Sequence, residues 1–211
     1  MYCSSLLNAQ DNRLSFRLRG GNTSPFGNFA AASADVDYTF NNGIAINGGV
    51  QYNSTGRTAA ELRPACLFEL ENGILSAGAL LHYSHQSSIN NYAAGLGATC
   101  SYRWLWFTAG YYYRQYSCNG SSLTEPFNLF YECGFNCLPN RSEWDLSIYV
   151  TNCELFELER HYQPSFMVQG WWYPNDWLGV NIGLSYKPTG VYGIASDYYQ
   201  LYGSTGLCYR W

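Results

Sequence analysis

Charge is scarce in this chain. Asp, Glu, Lys and Arg make up 12% of its 211 residues, about half the share usual in a soluble domain. Long apolar runs are missing too. The longest candidate, Ile74 to Leu81, falls far short of the 18 or more residues that a membrane-spanning helix needs. Linkers, low-complexity tracts and charge blocks are also absent, so nothing divides the chain, and 11–211 reads as one domain. No C-x-x-C occurs and the three His residues do not sit near paired Cys, which argues against a metal site. The sequence holds no phosphate loop, nucleotide fingerprint or paired carboxylates of glycosidase type, so no cofactor is expected. A formal charge of -4 and an isoelectric point near 5.3 argue against a nucleic-acid partner.

What the chain has instead is alternation. Val36, Tyr38 and Phe40 share one phase, with Asp35, Asp37 and Thr39 on the other. Leu178, Val180, Ile182, Leu184 and Tyr186 alternate with Gly179, Asn181, Gly183 and Ser185. A period of two is the mark of a β-strand with one dry and one polar face. The pattern predicts twelve strands, near 13–20, 32–41, 43–53, 58–70, 74–86, 90–102, 105–116, 126–137, 144–152, 162–173, 177–187 and 197–211. Short turns are expected at Asn41 to Gly43, Glu71 to Gly73, Arg103-Trp104, Pro139 to Glu143 and Pro174 to Asp176. Mostly longer loops are expected at Gly21 to Ala31, Asn53 to Arg57, Gln86 to Asn90, Ser117 to Glu125, Asn152 to His161 and Pro188 to Ser196.

Dyad-patterned strands about ten residues long, rich in aromatics, are the signature of a transmembrane β-barrel. The mean hydropathy of -0.24 fits, because polar lumen residues dilute the lipid-facing ones. The chain ends with Leu207, Tyr209 and Trp211 in phase, which resembles the C-terminal strand of bacterial outer-membrane proteins, with Trp where Phe is more usual. This resemblance to outer-membrane barrels implies an all-β, antiparallel up-and-down barrel of about twelve strands. It also implies short periplasmic turns, longer extracellular loops, both termini in the periplasm, and the lipid bilayer as the main partner. Met1 to Gln10 reads as a signal-peptide remnant or a disordered tail.

Trp104, Trp144, Trp172, Trp177, Tyr209 and Trp211, with Phe40, Tyr102 and Trp106, gather at the short-turn ends of the strands. Tyr52, Tyr83, Tyr92, Tyr113, Tyr162, Tyr186 and Tyr199 gather at the other ends. Two such belts suit the two membrane interfaces, where an aromatic ring can keep a polar edge wet.

The polar phase is expected to form a lumen charge network of Arg17, Arg19, Asp35, Asp37, Glu61, Arg63, Arg103, Arg114, Glu132, Asp145, Lys187 and Arg210. Arg17 and Arg19 should face Asp35 and Asp37 across the first hairpin. Leu80, His82, Trp106, Tyr112, Phe130, Tyr149, Met167 and Trp171 share the inward phase and predict a partly filled lumen. Cys66, Cys100, Cys133 and Cys137 fall on the outward phase as small apolar residues. Cys118 and Cys153, in loops on the same side, are the one pair placed to form a disulfide.

The run Ser84-His85-Gln86-Ser87 holds a His-x-Ser on the outward phase at a loop end. It resembles the outer-membrane phospholipase A pattern. That resemblance would make Ser87 a nucleophile and His85 its base, with Asn90 or Asn91 the only residues able to orient the His. Three functions follow. The leading expectation is a non-enzymatic subunit or scaffold that packs against other outer-membrane proteins. The alternatives are a narrow porin-like channel for small solutes and a His85/Ser87 lipid hydrolase.

Overall fold

Alternation closes the chain on itself. The computed structural model describes residues 12–23, 27–138, 143–158, 163–188 and 198–211. Its strands are β1 (Arg13–Thr23), β2 (Gly27–Thr39), β3 (Ile44–Asn53), β4 (Thr58–Leu70), β5 (Gly73–Gln86), β6 (Ile89–Tyr102), β7 (Leu105–Cys118) and β8 (Ser121–Asn136), followed by β9 (Trp144–Thr151), β10 (Cys153–Glu154), β11 (Glu157–Leu158), β12 (Ser165–Asn175), β13 (Leu178–Pro188) and β14 (Tyr198–Arg210). Twelve of them form a closed barrel in which each strand pairs antiparallel with its neighbours, while β10 and β11 make a separate two-stranded hairpin. Closure runs from Arg13↔Arg210 to Thr23↔Gln200, so β1 and β14 pair along the whole of β1 and leave no open edge. The proposed tail at 1–10, Tyr162 and most of the connections at 139–143 and 188–196 lie outside the described residues.

The barrel is inside out relative to a soluble protein. Large apolar side chains are exposed on its outer wall, among them Ile182 at 70% and Phe127 at 64%. The buried residues include Arg13, Arg17, Arg19, Asp35, Glu61, Arg63, Arg114, Glu132 and Lys187. Such an apolar band needs a lipid environment. Leu80, His82, Trp106, Tyr112, Phe130, Tyr149, Met167 and Trp171 all point inward and are buried.

Large inward rings fit because glycines face them. Gly97 and Gly110 are register partners, and a Cβ on either would lie within 2.4 Å of the Phe130 ring. The ring lies on a shelf that only a missing side chain provides.

The turns depart from expectation at the end away from the termini. Ser117 to Glu125 reads as a loop, but β7 and β8 run on to a two-residue Asn119-Gly120 turn, both at positive φ (47° and 85°). Asn-Gly is the pair such a left-handed turn favours. Its signal is masked by the polar run that follows. The β7/β8 register shifts between Tyr112 and Arg114, next to Pro126, which has no N–H to give the ladder. Gln86 to Asn90 likewise closes as a Ser87-Ser88 turn.

The third departure is the largest. Asn152 to His161 was expected outside, yet Asn152, Cys153, Glu154, Leu155, Phe156 and Leu158 are buried in the lumen. Cys153 therefore sits inside the barrel. Cys118 lies at the β7 end with its Sγ 3.6 Å from the Ser88 hydroxyl, and both thiols are free, so the expected disulfide is not formed. Cys66, Cys100 and Cys133 are exposed on the outer wall, and Cys137 is half-buried just past β8.

Candidate functional site

A chain segment folded into a barrel must satisfy its own backbone, or each orphaned carbonyl and N–H carries a desolvation cost. Residues 152–158 do this with side chains from all round the wall. Asn152 anchors the base. Its side-chain amide donates to the Leu129 carbonyl (2.9 Å), its Oδ1 accepts from the Tyr131 N–H (2.8 Å), and the Thr151 hydroxyl donates to the Tyr131 carbonyl (3.1 Å). Beyond it, Cys153 pairs with Leu158 and Glu154 with Glu157, closing a miniature hairpin over Leu155-Phe156. Phe156 sits at φ 71°, a left-handed conformation rare for a bulky residue. The docking contacts at the tip hold it there.

Three arginines serve the hairpin carbonyls. Arg57 donates to the Phe156 carbonyl (2.9 Å), Arg63 to those of Cys153 (3.3 Å) and Glu154 (3.2 Å), and Arg114 to that of Leu158. Glu61 completes the cradle by accepting from the Phe156 N–H (3.1 Å). Its two oxygens also take Arg63 and the His82 ring nitrogen, the latter at 2.9 Å. The apolar side chains find pockets. Leu155 and Phe156 pack on Ala59, while Cys153 and Leu158 join Leu80, Ala93, Tyr112 and Phe130.

The hairpin carboxylates face the opposite wall. Glu157 pairs with Lys187 and lies 3.9 Å from Arg19, and Glu154 pairs with Lys187 (3.2 Å) and accepts from the Tyr202 hydroxyl. Burial pushes the Glu157 carboxyl up, but Lys187, Arg19 and Arg57 outweigh it and hold it well below its ordinary 4.5. Glu157 is therefore ionised when docked. A charge-paired plug spans the lumen from the β13–β14–β1 wall to the β4–β7 wall.

The remaining members of the expected charge network are placed as follows. Arg17 pairs with Asp35, both almost fully buried, but Asp37 takes Arg13 and Asn47 instead of Arg19. The register explains this: Arg13 lies directly opposite Asp37, whereas Arg19 lies opposite Ala31 and reaches the hairpin. Sequence phase alone pointed to Arg17 and Arg19 and passed over Arg13. Glu132 accepts from the Trp106 indole (2.8 Å). Asp145 accepts from Asn136 (2.8 Å) and the Ser147 hydroxyl (3.0 Å). The Arg210 guanidinium lies over the Tyr173 ring, 3.5 Å from its centroid. Arg103 is not in the lumen. It occupies the exposed β6/β7 turn at φ 54° and lies over Tyr102, because a two-residue turn leaves no inward position for it.

At the end carrying the termini, Trp104, Trp144, Trp172, Trp177, Tyr209 and Trp211 are all exposed on the outer surface. Trp144 stacks on Trp172 with centroids 5.9 Å apart, as Tyr209 does on Trp211. His85 and Ser87 are not brought together by any described hydrogen bond. The His85 ring nitrogen donates to the Asn90 side-chain oxygen (3.0 Å), which also accepts from the Tyr83 hydroxyl (3.0 Å). Ser87 is exposed in the turn at φ 56°.

No protein-family model and no curated protein matches the chain. Solved structures do, and they define the class: this is a β-barrel with the fold of bacterial outer-membrane porins. The KdgM porin, solved in complex with disordered oligogalacturonate, is similar at a TM-score of 0.59 and 12% identity, covering 93% of this chain and 98% of the porin. The NanC porin is similar at 0.58 and 14% identity, covering 92% and 98%. The translocator domain of the autotransporter NalP from Neisseria meningitidis is similar at 0.56 and 15% identity, covering 99% and 94%. These likenesses show the fold.

Proposed function

We propose that this chain is a narrow porin-like channel of the bacterial outer membrane, with its termini in the periplasm and its bore constricted by the 152–158 hairpin. The observation that carries this reading is the hairpin itself. A barrel that served only as a packing surface has no need of a strained segment cradled by three arginines inside its bore. The exposed tryptophans and Tyr209 then sit at the periplasmic interface of the bilayer.

A related porin fold binds oligogalacturonate, a polyanion. In this chain the lumen arginines and Lys187 are matched by Asp35, Asp37, Glu61, Glu154 and Glu157, and no ring of one sign lines the bore among the described residues. The reading is therefore a small-solute path with weak ion preference. Planar-bilayer recording tests it. The purified chain should give small, weakly selective steps, and replacing Cys153–Leu158 by a short Gly-Ser linker should enlarge them several-fold. Silence from both proteins would overturn the channel. Stoichiometric partners retained in mild detergent, together with that silence, would restore the scaffold.

A further inference from the structure

On the side of the hairpin away from the chain termini, the lumen opens into a vestibule of about 380 Å³, at the lower end of the range of roughly 300–1,000 Å³ typical of small-molecule sites. Its wall is built where β4 begins, β5 ends, β6 begins and β7 ends, and the hairpin forms its floor. Ser84, Asn91 and Tyr116 are neighbours in one cross-strand row, Ser84↔Asn91↔Tyr116. Arg114 lies one inward step deeper than Tyr116 on β7. Arg57 and Glu157 also line it.

Two buried polar atoms here lack a partner: Nε of Arg114 and Oδ1 of Asn91. Arg114 is only 3% exposed. Its other nitrogens are engaged, with Tyr116 Oη at 2.8 Å, Tyr112 Oη at 3.0 Å and the Leu158 carbonyl. Asn91 donates weakly to the Ser84 hydroxyl at 3.4 Å. An unmet donor and an unmet acceptor in the wall of one vestibule, each shielded from bulk water, are costly unless something else completes them.

We propose that the vestibule is a binding subsite for a neutral, hydroxyl-rich solute of sugar type, toward which the Arg114 and Asn91 side chains turn so that Arg114 Nε donates to one hydroxyl and Asn91 Oδ1 accepts from another. A hydroxyl is donor and acceptor at once and meets both demands. A carboxylate is acceptor-only. It would answer Arg114, leave Asn91 Oδ1 unmet, and lie near the ionised Glu157. A cation meets Arg57 and Arg114 and is repelled. The vestibule's own charges, two guanidiniums against Glu157 and a Glu125 oxygen 3.8 Å from Arg114, come close to balance. Water can fill such a site, but it is displaced at little cost by a ring that reproduces the same hydrogen bonds.

The proposal deepens the channel reading, but its test does not pass through it. The experiment is isothermal titration of the full chain in detergent with glucose, maltose and glucuronate, the last differing from glucose by one carboxylate. Saturable binding of glucose or maltose, with glucuronate weaker than glucose, is expected. Loss of one buried hydrogen bond in Asn91→Leu should weaken the sugars by roughly three- to tenfold, in protein whose heat-shifted gel mobility shows a folded barrel. Asn91→Ala serves if leucine is not accommodated. No saturable heat from either neutral sugar, tighter binding of glucuronate than of glucose, or unchanged affinity in the folded Asn91 variants would each overturn the site. A barrel that binds maltose but passes no current keeps the site and loses the channel. A conducting barrel that binds neither sugar keeps the channel and loses the site.

Discussion

Two groups of arginines line the same lumen and do different work. Arg13 and Arg17 on β1 lie against Asp37 and Asp35 on β2, carboxylates of the adjoining strand. Arg57, Arg63 and Arg114 come from β7 and the start of β4 and spend hydrogen bonds on backbone carbonyls of a hairpin that lies 44 or more residues away in sequence. The first group neutralises the wall. The second group holds an object in the bore. Removing a partner from either exposes a buried charge, yet only the second should change what passes through. Phase and composition are the same for both, and the distinction comes entirely from what each guanidinium meets.

The sharpest way to test that division is a matched pair of deletions. Glu61→Ala takes the carboxylate from Arg63 and the acceptor from His82 and the Phe156 N–H, and Asp35→Ala takes the carboxylate from Arg17. Each should cost roughly 3–5 kcal/mol in reversible unfolding from lipid vesicles. Only Glu61→Ala should raise conductance and open the hairpin to protease. Equal conductance in the two would erase the contrast between the groups.

The outer wall supplies a control of similar size. Ile182→Arg, on the lipid-facing phase of β13, should cost roughly 2–4 kcal/mol in the same unfolding measurement and leave the conductance of the folded fraction unchanged. A negligible cost would mean that the outward phase does not face hydrocarbon.

Arg57→Gln should cost less, at the lower end of the roughly 1.5–3 kcal/mol range for a charged hydrogen bond, because Arg57 is half-buried. It should show as more frequent current flicker.

Acid should loosen the hairpin from the wall that carries Lys187 and Arg19. Glu157 has its carboxyl held below the ordinary 4.5, so its contribution to docking is fully present above that value and is lost as the pH falls below it. Protease accessibility of the hairpin should be flat between pH 7 and 5 and climb below about 4.5. A climb already at pH 6 would place the latch elsewhere. The smallest effect belongs to the outer rim. His85→Ala and Ser87→Ala should each shift stability by less than about 0.5 kcal/mol and leave fatty-acid release from phospholipid vesicles at background.

The strands were legible because a dry lipid face and a wet lumen impose period two on every one of them. The order of the barrel follows from short connections between neighbours. Ser117 to Glu125 failed because Ser121 to Glu125 carries a single apolar residue, Leu123, so no alternation marked it as strand. Arg13 failed because a face assignment ignores register, and the β1 residue opposite Asp37 is Arg13, not Arg19. The hairpin was the deepest miss, and it left one trace. Leu155, Phe156 and Leu158 are too apolar for a loop bathed in water, and their burial inside the barrel accounts for them. The vestibule could not be read from sequence at all, since its floor is the hairpin that the sequence places in an outer loop.

That docking has a consequence for assembly. The hairpin's partners arrive from β1, β4, β7, β13 and β14. Arg19 and Tyr202 lie on the two strands that meet last in chain order, β1 and β14. Until those strands zip together the receptacle is incomplete, and a segment that carries Phe156 in a disfavoured backbone state has little reason to stay inside. Closure of β1 on β14 therefore completes the hairpin's receptacle, and protection of the hairpin reports a cylinder whose last seam is shut.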